Sequence, residues 1–240
     1  MKQECGKKNE NEDFMKKLTD QFELNRDYNI FFPKNSPLLS FNYSDGQTAE
    51  DYIYGVLKNA RDKSSFSIEL ASSIKDWPSL YHLSPQRANL IRALDFKNSN
   101  EMKVLELGAG CGAITRYLGE NFREIHAIEG SAKRALIARE RCSNLENVKI
   151  FNANFLAVDF APEYDLVSLI GVLEYSTLYH PNNLFSREEK IIDVLKRAFN
   201  SLNKNGKLVL AIENKFGLKY WAGSHEDHTN NLFEGIMGYP

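Results

Sequence analysis

Val104-Leu105-Glu106-Leu107-Gly108-Ala109-Gly110-Cys111-Gly112 is an apolar run that takes in one acid and then breaks into alternate glycines. Ala113-Ile114-Thr115-Arg116-Tyr117-Leu118 follows and reads as a helix. A strand that turns sharply into a helix leaves backbone N–H groups pointing at whatever sits above the turn. Glycine permits the turn and lets a ligand approach the backbone closely. Gly108, Gly110 and Ala113 satisfy the pattern G-x-G-x-x-G/A. That pattern calls for an acid about 20 positions further on, at a strand end. Glu129 is there, closing Ile125-His126-Ala127-Ile128. A carboxylate at that place can accept hydrogen bonds from two ribose hydroxyls. Loop and acid together are a ribose-nucleotide signature that does not yet choose a ligand.

Outward from this loop the chain alternates strand and helix. The expected strands are 103–107, 124–129, 148–151, 164–170 and 207–212, with helices at 113–121, 132–142 and 187–201. The strands are short continuous apolar runs, as expected when both sheet faces are covered. The alternation predicts an α/β fold with a doubly wound, mostly parallel sheet. Upstream, residues 1–13 read as a disordered tail. Phe14, Leu18 and Phe22 recur at helical spacing. The stretch from Ile30 to Ser44 reads as an extended arm. Thr48 with Asp51 resembles a capping box ahead of a helix. A second helix is expected from Phe66 to Lys75, ended by Trp77-Pro78, and a third opens at Ser84-Pro85. Residues 14–83 therefore read as a mainly helical extension or lid, and 84–240 as the α/β domain. The sequence stops soon after the fifth strand, where a sheet of this kind usually continues. Either the segment after Gly217 supplies the further strands irregularly or, the favoured reading, the sequence is a fragment whose C-terminal strands are missing.

Composition narrows the partners. With 30 basic against 32 acidic residues the formal net charge is −2, which gives no electrostatic case for nucleic acid as the main partner. No apolar run approaches a membrane span. The polar start cannot be a secretory signal. Cys5, Cys111 and Cys142 lack paired spacing, which argues against a disulfide framework or a metal site and fits a reducing, cytoplasmic location.

Three details choose the ligand. Glu106 lies two residues before the first glycine, Gly112 adds a third glycine, and the loop follows a helical N-terminal segment. Here the sequence resembles the class I S-adenosylmethionine-dependent methyltransferases, whose first motif is an apolar strand followed by E/D-x-G-x-G-x-G. Glu106 to Gly112 matches it without departure. The resemblance implies a Rossmann-like fold and S-adenosylmethionine as cofactor, with S-adenosylhomocysteine as product. It implies that Gly108, Ala109 and Gly110 cradle the methionine part and that Glu129 holds the ribose. Glu106 would help hold the loop and the cationic end of the cofactor. After the third strand the family often has an aspartate facing the adenine amino group. Asn154 stands there, as an acceptor for the same bond or as a turn asparagine. Gly171, in Gly171-Val172-Leu173-Glu174-Tyr175, falls in the loop that lines the cofactor in the family.

A polar constellation ends the chain. Glu213 closes the fifth strand, where ligands collect in open α/β sheets, and His225-Glu226-Asp227-His228 follows. A metal there is disfavoured. A general base acting on an acceptor hydroxyl is the better use, with His228 first and Glu213 second; a solvated loop is the alternative. The stretch Glu213–Gly223 with Glu226-Asp227-His228-Thr229, together with Asp76–Ser84, resembles bacterial methyltransferases found with, or fused to, glycosyltransferases of surface-polysaccharide assembly. That narrower resemblance implies a sugar hydroxyl as acceptor. It also places Trp77, Tyr81 and His82 in a segment folding over the cofactor, against the simpler reading that they pack on the sheet. An NAD-dependent oxidoreductase and a non-catalytic cofactor-binding module are the rival functions.

Overall fold

The apolar runs around the glycine loop become the centre of a seven-stranded sheet in the computed structural model, which describes residues 17–34, 44, 46–214, 216–226 and 231–237. The strands are β1 Phe22–Asn25, β2 Ile30–Pro33, β3 Lys103–Leu107, β4 Glu124–Glu129, β5 Val148–Asn152, β6 Tyr164–Ile170 and β7 Leu202–Ala211. The described helices are α1 Gln47–Asn59, α2 Ile68–Ser72, α3 Trp77–Leu83, α4 Asn89–Arg92, α5 Ala113–Asn121, α6 Ala132–Arg141, α7 Ser176–Tyr179, α8 Arg187–Asn200, α9 Leu218–Trp221 and α10 Glu234–Met237. Spatial order in the sheet is β1-β2-β5-β4-β3-β6-β7, parallel from β2 to β7, with only β1 antiparallel.

Each central strand is covered on both faces. Leu105, Leu107, Ile128, Phe151, Val167 and Leu169 pack towards Val194 and Ala198 of α8. Val104, Ile125, Ala127, Ile150 and Leu166 pack towards Leu118, Ala135 and Ala138 of α5 and α6. Each fully buried Val, Leu or Ile side chain contributes about 1.5–3 kcal/mol. This two-faced covering makes the runs continuously apolar and the fold doubly wound, as the sequence predicts. The chain leaves β3 towards β4 and β5, then returns to the other side of β3 for β6 and β7. The switch point therefore opens at the C-terminal ends of β3 and β6, where such sheets bind ligands.

The N-terminal part differs from expectation in three places. The spacing of Leu18 and Phe22 predicts a helix, but Phe22 opens a β1–β2 hairpin. Leu18, Phe22 and Ile30 are all buried, and Phe31 lies in register with Phe151. The Phe31 ring stacks on Phe151 at 4.8 Å and the Phe22 ring meets it edge-on at 5.1 Å. Covering the edge of β5 outweighs local helical spacing, because an open edge strand is an aggregation hazard. Phe14 lies outside the described residues.

Thr48 and Asp51 form no capping box. The helix begins at Gln47 with Gly46 as its cap, so Thr48 already lies inside the first turn. Trp77-Pro78 opens a helix rather than ending one. Asp76 Oδ1 accepts from the Ser79 N–H at 2.9 Å, Ser79 Oγ accepts from the Asp76 N–H at 2.9 Å, and Pro78 occupies a first-turn position. Ser84-Pro85 starts the next turn as expected, Ser84 Oγ accepting from Gln86 N–H at 3.2 Å. Residues 203–206, ahead of the strand expected at 207–212, are absorbed into β7 as an irregularity opposite Tyr164–Leu166, where Asn203 Nδ2 donates to Asp165 Oδ1 at 2.5 Å.

A third cluster joins the N-terminal helices to the α/β layer. Ile53 and Leu57 of α1, Leu70 of α2 and Leu83 of α3 surround Cys111 and Ile137. Cys111 of the glycine loop is thus a packing residue, and its neighbours fix α3 beside the switch point.

Candidate active site

The glycine loop is tied to the end of β4. The N–H groups of Gly108 and Ala109 both donate to Ile128 O, at 2.9 and 3.0 Å. The Gly110 N–H donates to Glu129 Oε2 at 2.7 Å, and the Ser131 N–H donates to Glu129 Oε1 at 2.8 Å. The sequence predicts N–H groups open to a ligand; these three are already engaged. The physical reason is that β3 continues its ladder onto β4 past Leu107 before the chain turns away. A loop so engaged is poorly equipped to hold a pyrophosphate. The glycines have separate uses. At Gly108, with φ of +86°, an added Cβ would lie 2.4 Å from Val172 Cγ2; at Gly112, with φ of +81°, it would lie 2.8 Å from Ala138 Cα on α6.

Two carboxylates lie at the base of the loop. Glu106 is buried between Ala127 and Ser168, its register neighbours on β4 and β6. Its Oε2 is buried without a hydrogen-bond partner, as are Ser168 Oγ and Thr115 Oγ1. Burial pushes the Glu106 carboxyl up to about 8, with the Glu129 charge adding to the rise; the nearby Thr115 hydroxyl and Arg87 guanidinium oppose it. Burial also raises Glu129, against the Ser131 and Gly110 N–H groups and the Arg134 charge, while Glu50 adds to the rise. Glu50 reaches in from α1 and accepts from Arg134 Nε at 3.0 Å, both side chains being buried.

Above these acids is a cleft of ≈ 530 Å³. The loop residues Gly108 to Gly110 form part of its lining with Glu106 and Glu129, and Trp77, Tyr81 and His82 of α3 form another part. Arg87 joins them, its guanidinium 3.9 Å from the centre of the Tyr81 ring. Gly171, with φ of +66°, lies at the end of β6 in the same lining, and the Tyr81 hydroxyl is 3.1 Å from where its Cβ would be. Asn154 also lines the cleft, but both ends of its amide hold local structure. Its Oδ1 accepts from the Leu156 N–H at 3.0 Å and its Nδ2 donates to Tyr179 O at 3.3 Å.

Glu213 reaches the rim of the cleft, half exposed. The Tyr220 hydroxyl donates to its Oε2, and Lys219 Nζ lies 3.6 Å from its Oε1. His228 lies outside the described residues. Glu106, the glycines, Glu129, Asn154, Gly171 and Glu213 are thus brought together. Arg87, Arg134 and Glu50 join them without any local signal in the sequence, because they approach from α1, α6 and the turn before α4. Among the described residues no group of three or more His, Cys, Asp or Glu is placed to hold a metal ion. No described helix is long and apolar enough to cross a membrane.

Comparison with known proteins falls on the same stretch. Residues 105–208 match the family described as "Methyltransferase domain". Ribosomal RNA small subunit methyltransferase A of Mesoplasma florum is 24% identical over 143 residues, covering 56% of this chain and 48% of the relative. The rRNA adenine N-6-methyltransferase of Saccharopolyspora erythraea is 32% identical over 75 residues, 31% of this chain and 19% of the relative. The chain thus spans about half the length of the first relative and less of the second. Among solved structures, phosphoethanolamine N-methyltransferase 1 of Haemonchus contortus, in complex with phosphoethanolamine and S-adenosylhomocysteine, is 16% identical. It aligns with a TM-score of 0.45 over 69% of this chain and 32% of its own. The stretch from the strand before the glycine loop to the last parallel strand is thus similar to methyltransferase domains.

Proposed function

We propose that the cleft binds S-adenosylmethionine and that the protein transfers its methyl group to an oxygen or nitrogen acceptor. The observation that carries this reading is Glu106. An acid buried at the switch point with an unpartnered oxygen calls for a cationic ligand. Glu129 has lone pairs left beyond its two backbone bonds and can accept from ribose hydroxyls. Gly108, Ala109 and Gly110 would lie against the methionine part, and Asn154 and Gly171 against the nucleoside. When bound, the cofactor supplies a methyl group already activated by its sulfonium. The chain then has to align the attacking atom and take its proton where needed. For a sugar hydroxyl, the acceptor class favoured by the narrower resemblance, Glu213 at the rim or His228 would accept that proton. An associated or fused glycosyltransferase and a cytoplasmic location complete this reading; the buried cysteines Cys111 and Cys142, neither in a disulfide, fit a reducing compartment.

The engaged loop N–H groups and the two buried acids disfavour NAD, whose pyrophosphate is anionic. A second reading takes its support from the names of the rRNA-modifying relatives: an adenine nitrogen of RNA as acceptor. The balanced charge and the lack of an N-P-P-Y-type signature after β6 weigh against it. Calorimetric titration with S-adenosylhomocysteine and, separately, NAD tests the cofactor; saturable binding of the first and none of the second is expected. Binding of NAD alone, or of neither, sinks the proposal. Methyl transfer to RNA but not to glycans would move the acceptor to the second reading.

A further inference from the structure

One side of β7 pairs with β6, and no described strand pairs with its other side. The Gly171 N–H donates to Ala211 O at 2.9 Å, so Ala211 turns its backbone groups towards β6. Residues two apart in a strand point the same way. Lys207 and Val209 therefore also face β6 with their backbone groups, while Leu208, Leu210 and Ile212 turn theirs outwards. Such an edge is a template for another strand.

The apolar surface beside this edge is uncovered as well. One flank of α8 is tied down, Asp193 to His180 and Arg197 to Val158 O. At about 100° per residue, the opposite flank lies on the β7 side and carries Ile192 and Phe199. Phe199 is 70% exposed, Ile212 51% and Leu210 41%. Leu208 packs towards α8, and side chains two apart share a face, so Leu210 and Ile212 extend this same surface to the edge.

Charge selects what covers it. An antiparallel neighbour must set outward-pointing residues against outward-pointing residues. A second copy of β7, turned about a two-fold axis at Leu210, does so. Leu210 then meets Leu210, Leu208 meets Ile212, and Lys207 meets Glu213, the last two pairs twice over. Centred on Val209 instead, the pairing leaves Lys207 opposite Ala211. Opposite charges and apolar residues facing across antiparallel strands stabilise the pair. Lys207 is exposed, and Glu213 keeps 41% of its side chain exposed beside Lys219 and Tyr220.

We propose that β7 pairs antiparallel with β7 of a second copy of this chain, centred on Leu210, in a two-fold dimer with one continuous sheet. The pairing brings Lys207 of the second copy to Glu213 at the rim of the cleft, so each cleft takes a residue from both chains. The proposal is independent of the ligand that the cleft binds.

The test is sedimentation equilibrium of the 240-residue chain at about 1 to 100 μM, with circular dichroism to confirm folding. Wild type is expected to dimerise in that range. Leu210→Lys sets two ammonium groups face to face at the axis and should weaken dimerisation about 100-fold. Lys207→Glu and Glu213→Lys each set like charges opposite one another and should weaken it about 10-fold. The double variant Lys207→Glu/Glu213→Lys restores both pairs and should return to within about 3-fold of wild type. A wild type that stays monomeric throughout overturns the proposal. So does a dimer that Leu210→Lys leaves intact, or a double variant no tighter than the single ones. If Leu210→Lys does not fold, the two charge reversals and their combination decide.

Discussion

Glu106 is a protonated acid in the free protein near neutral pH, and this has consequences for both stability and binding. Its folded value of about 8 lies above the ordinary 4.5. Between those values the folded state holds a proton that the unfolded state has lost, so the Glu106 contribution to stability falls as pH rises through that window. Glu106→Gln should therefore flatten the decline of Tm between pH 5 and 8 relative to wild type and raise Tm at pH 8. Parallel Tm curves for the two proteins would refute this. The ammonium group of a bound ligand reverses the preference and expels the proton. S-adenosylhomocysteine binding near pH 7 should then release about one proton, read from titrations in buffers of different ionisation enthalpy. The same variant should bind that ligand more weakly, so one substitution stabilises the fold and damages the site. Gly112→Ala is a purely structural contrast. Left-handed strain and the Ala138 contact together should cost roughly 2–4 kcal/mol, measured by urea unfolding.

The glycine loop, Glu106 and Glu129 were legible because they belong to one β-α-β stretch, in which chemistry and local structure share the same few residues. Asn154 was legible as a position only; two competing local bonds now occupy its amide.

At the scale of elements, α3 is the hinge between packing and chemistry. Its capping box at Asp76 and Ser79 places Trp77, Tyr81 and His82 along the cleft. Asp76→Ala should fray that first turn and weaken S-adenosylhomocysteine binding more than it lowers Tm, because most of the core lies elsewhere. Asp76→Asn, which still accepts from the Ser79 N–H, should spare both. Proline after tryptophan misleads in the sequence because the same residue breaks a helix interior and suits a first turn. Only the bond between Asp76 and Ser79 separates the two. Likewise the β1–β2 hairpin hides behind helical spacing at Leu18 and Phe22, since its partner Phe151 is remote in sequence. Phe22→Ala should destabilise by about 3–5 kcal/mol while leaving ligand affinity unchanged in the folded fraction.

At the scale of the whole molecule, strand order follows from two-faced apolar runs, and the limits of β3, β4 and β6 fall where the sequence places them. What joins the halves does not follow from any run. The pair Glu50–Arg134, the cluster around Cys111 and the bond from the Arg141 guanidinium to His82 O all connect residues far apart in the chain, and no local periodicity encodes such contacts. Their common effect is to make the N-terminal helices part of the cleft wall. Ligand binding should accordingly protect α1 and α3 in hydrogen exchange along with β3 and β4; protection confined to β3 and β4 would show that the N-terminal helices stand apart.

The pairing of Phe31 with Phe151 also sets a timetable for synthesis. The two strands that close the sheet edge leave the ribosome before the strand they cover, and β5 must be made before β2 can dock. Until β5 emerges the hairpin is an apolar element without its sheet neighbour, and its late closure carries a long loop entropy. Nascent chains stalled before residue 151 should be the species that chaperones capture. The hairpin that guards the finished sheet from aggregation is, until then, the part of the chain most in need of guarding.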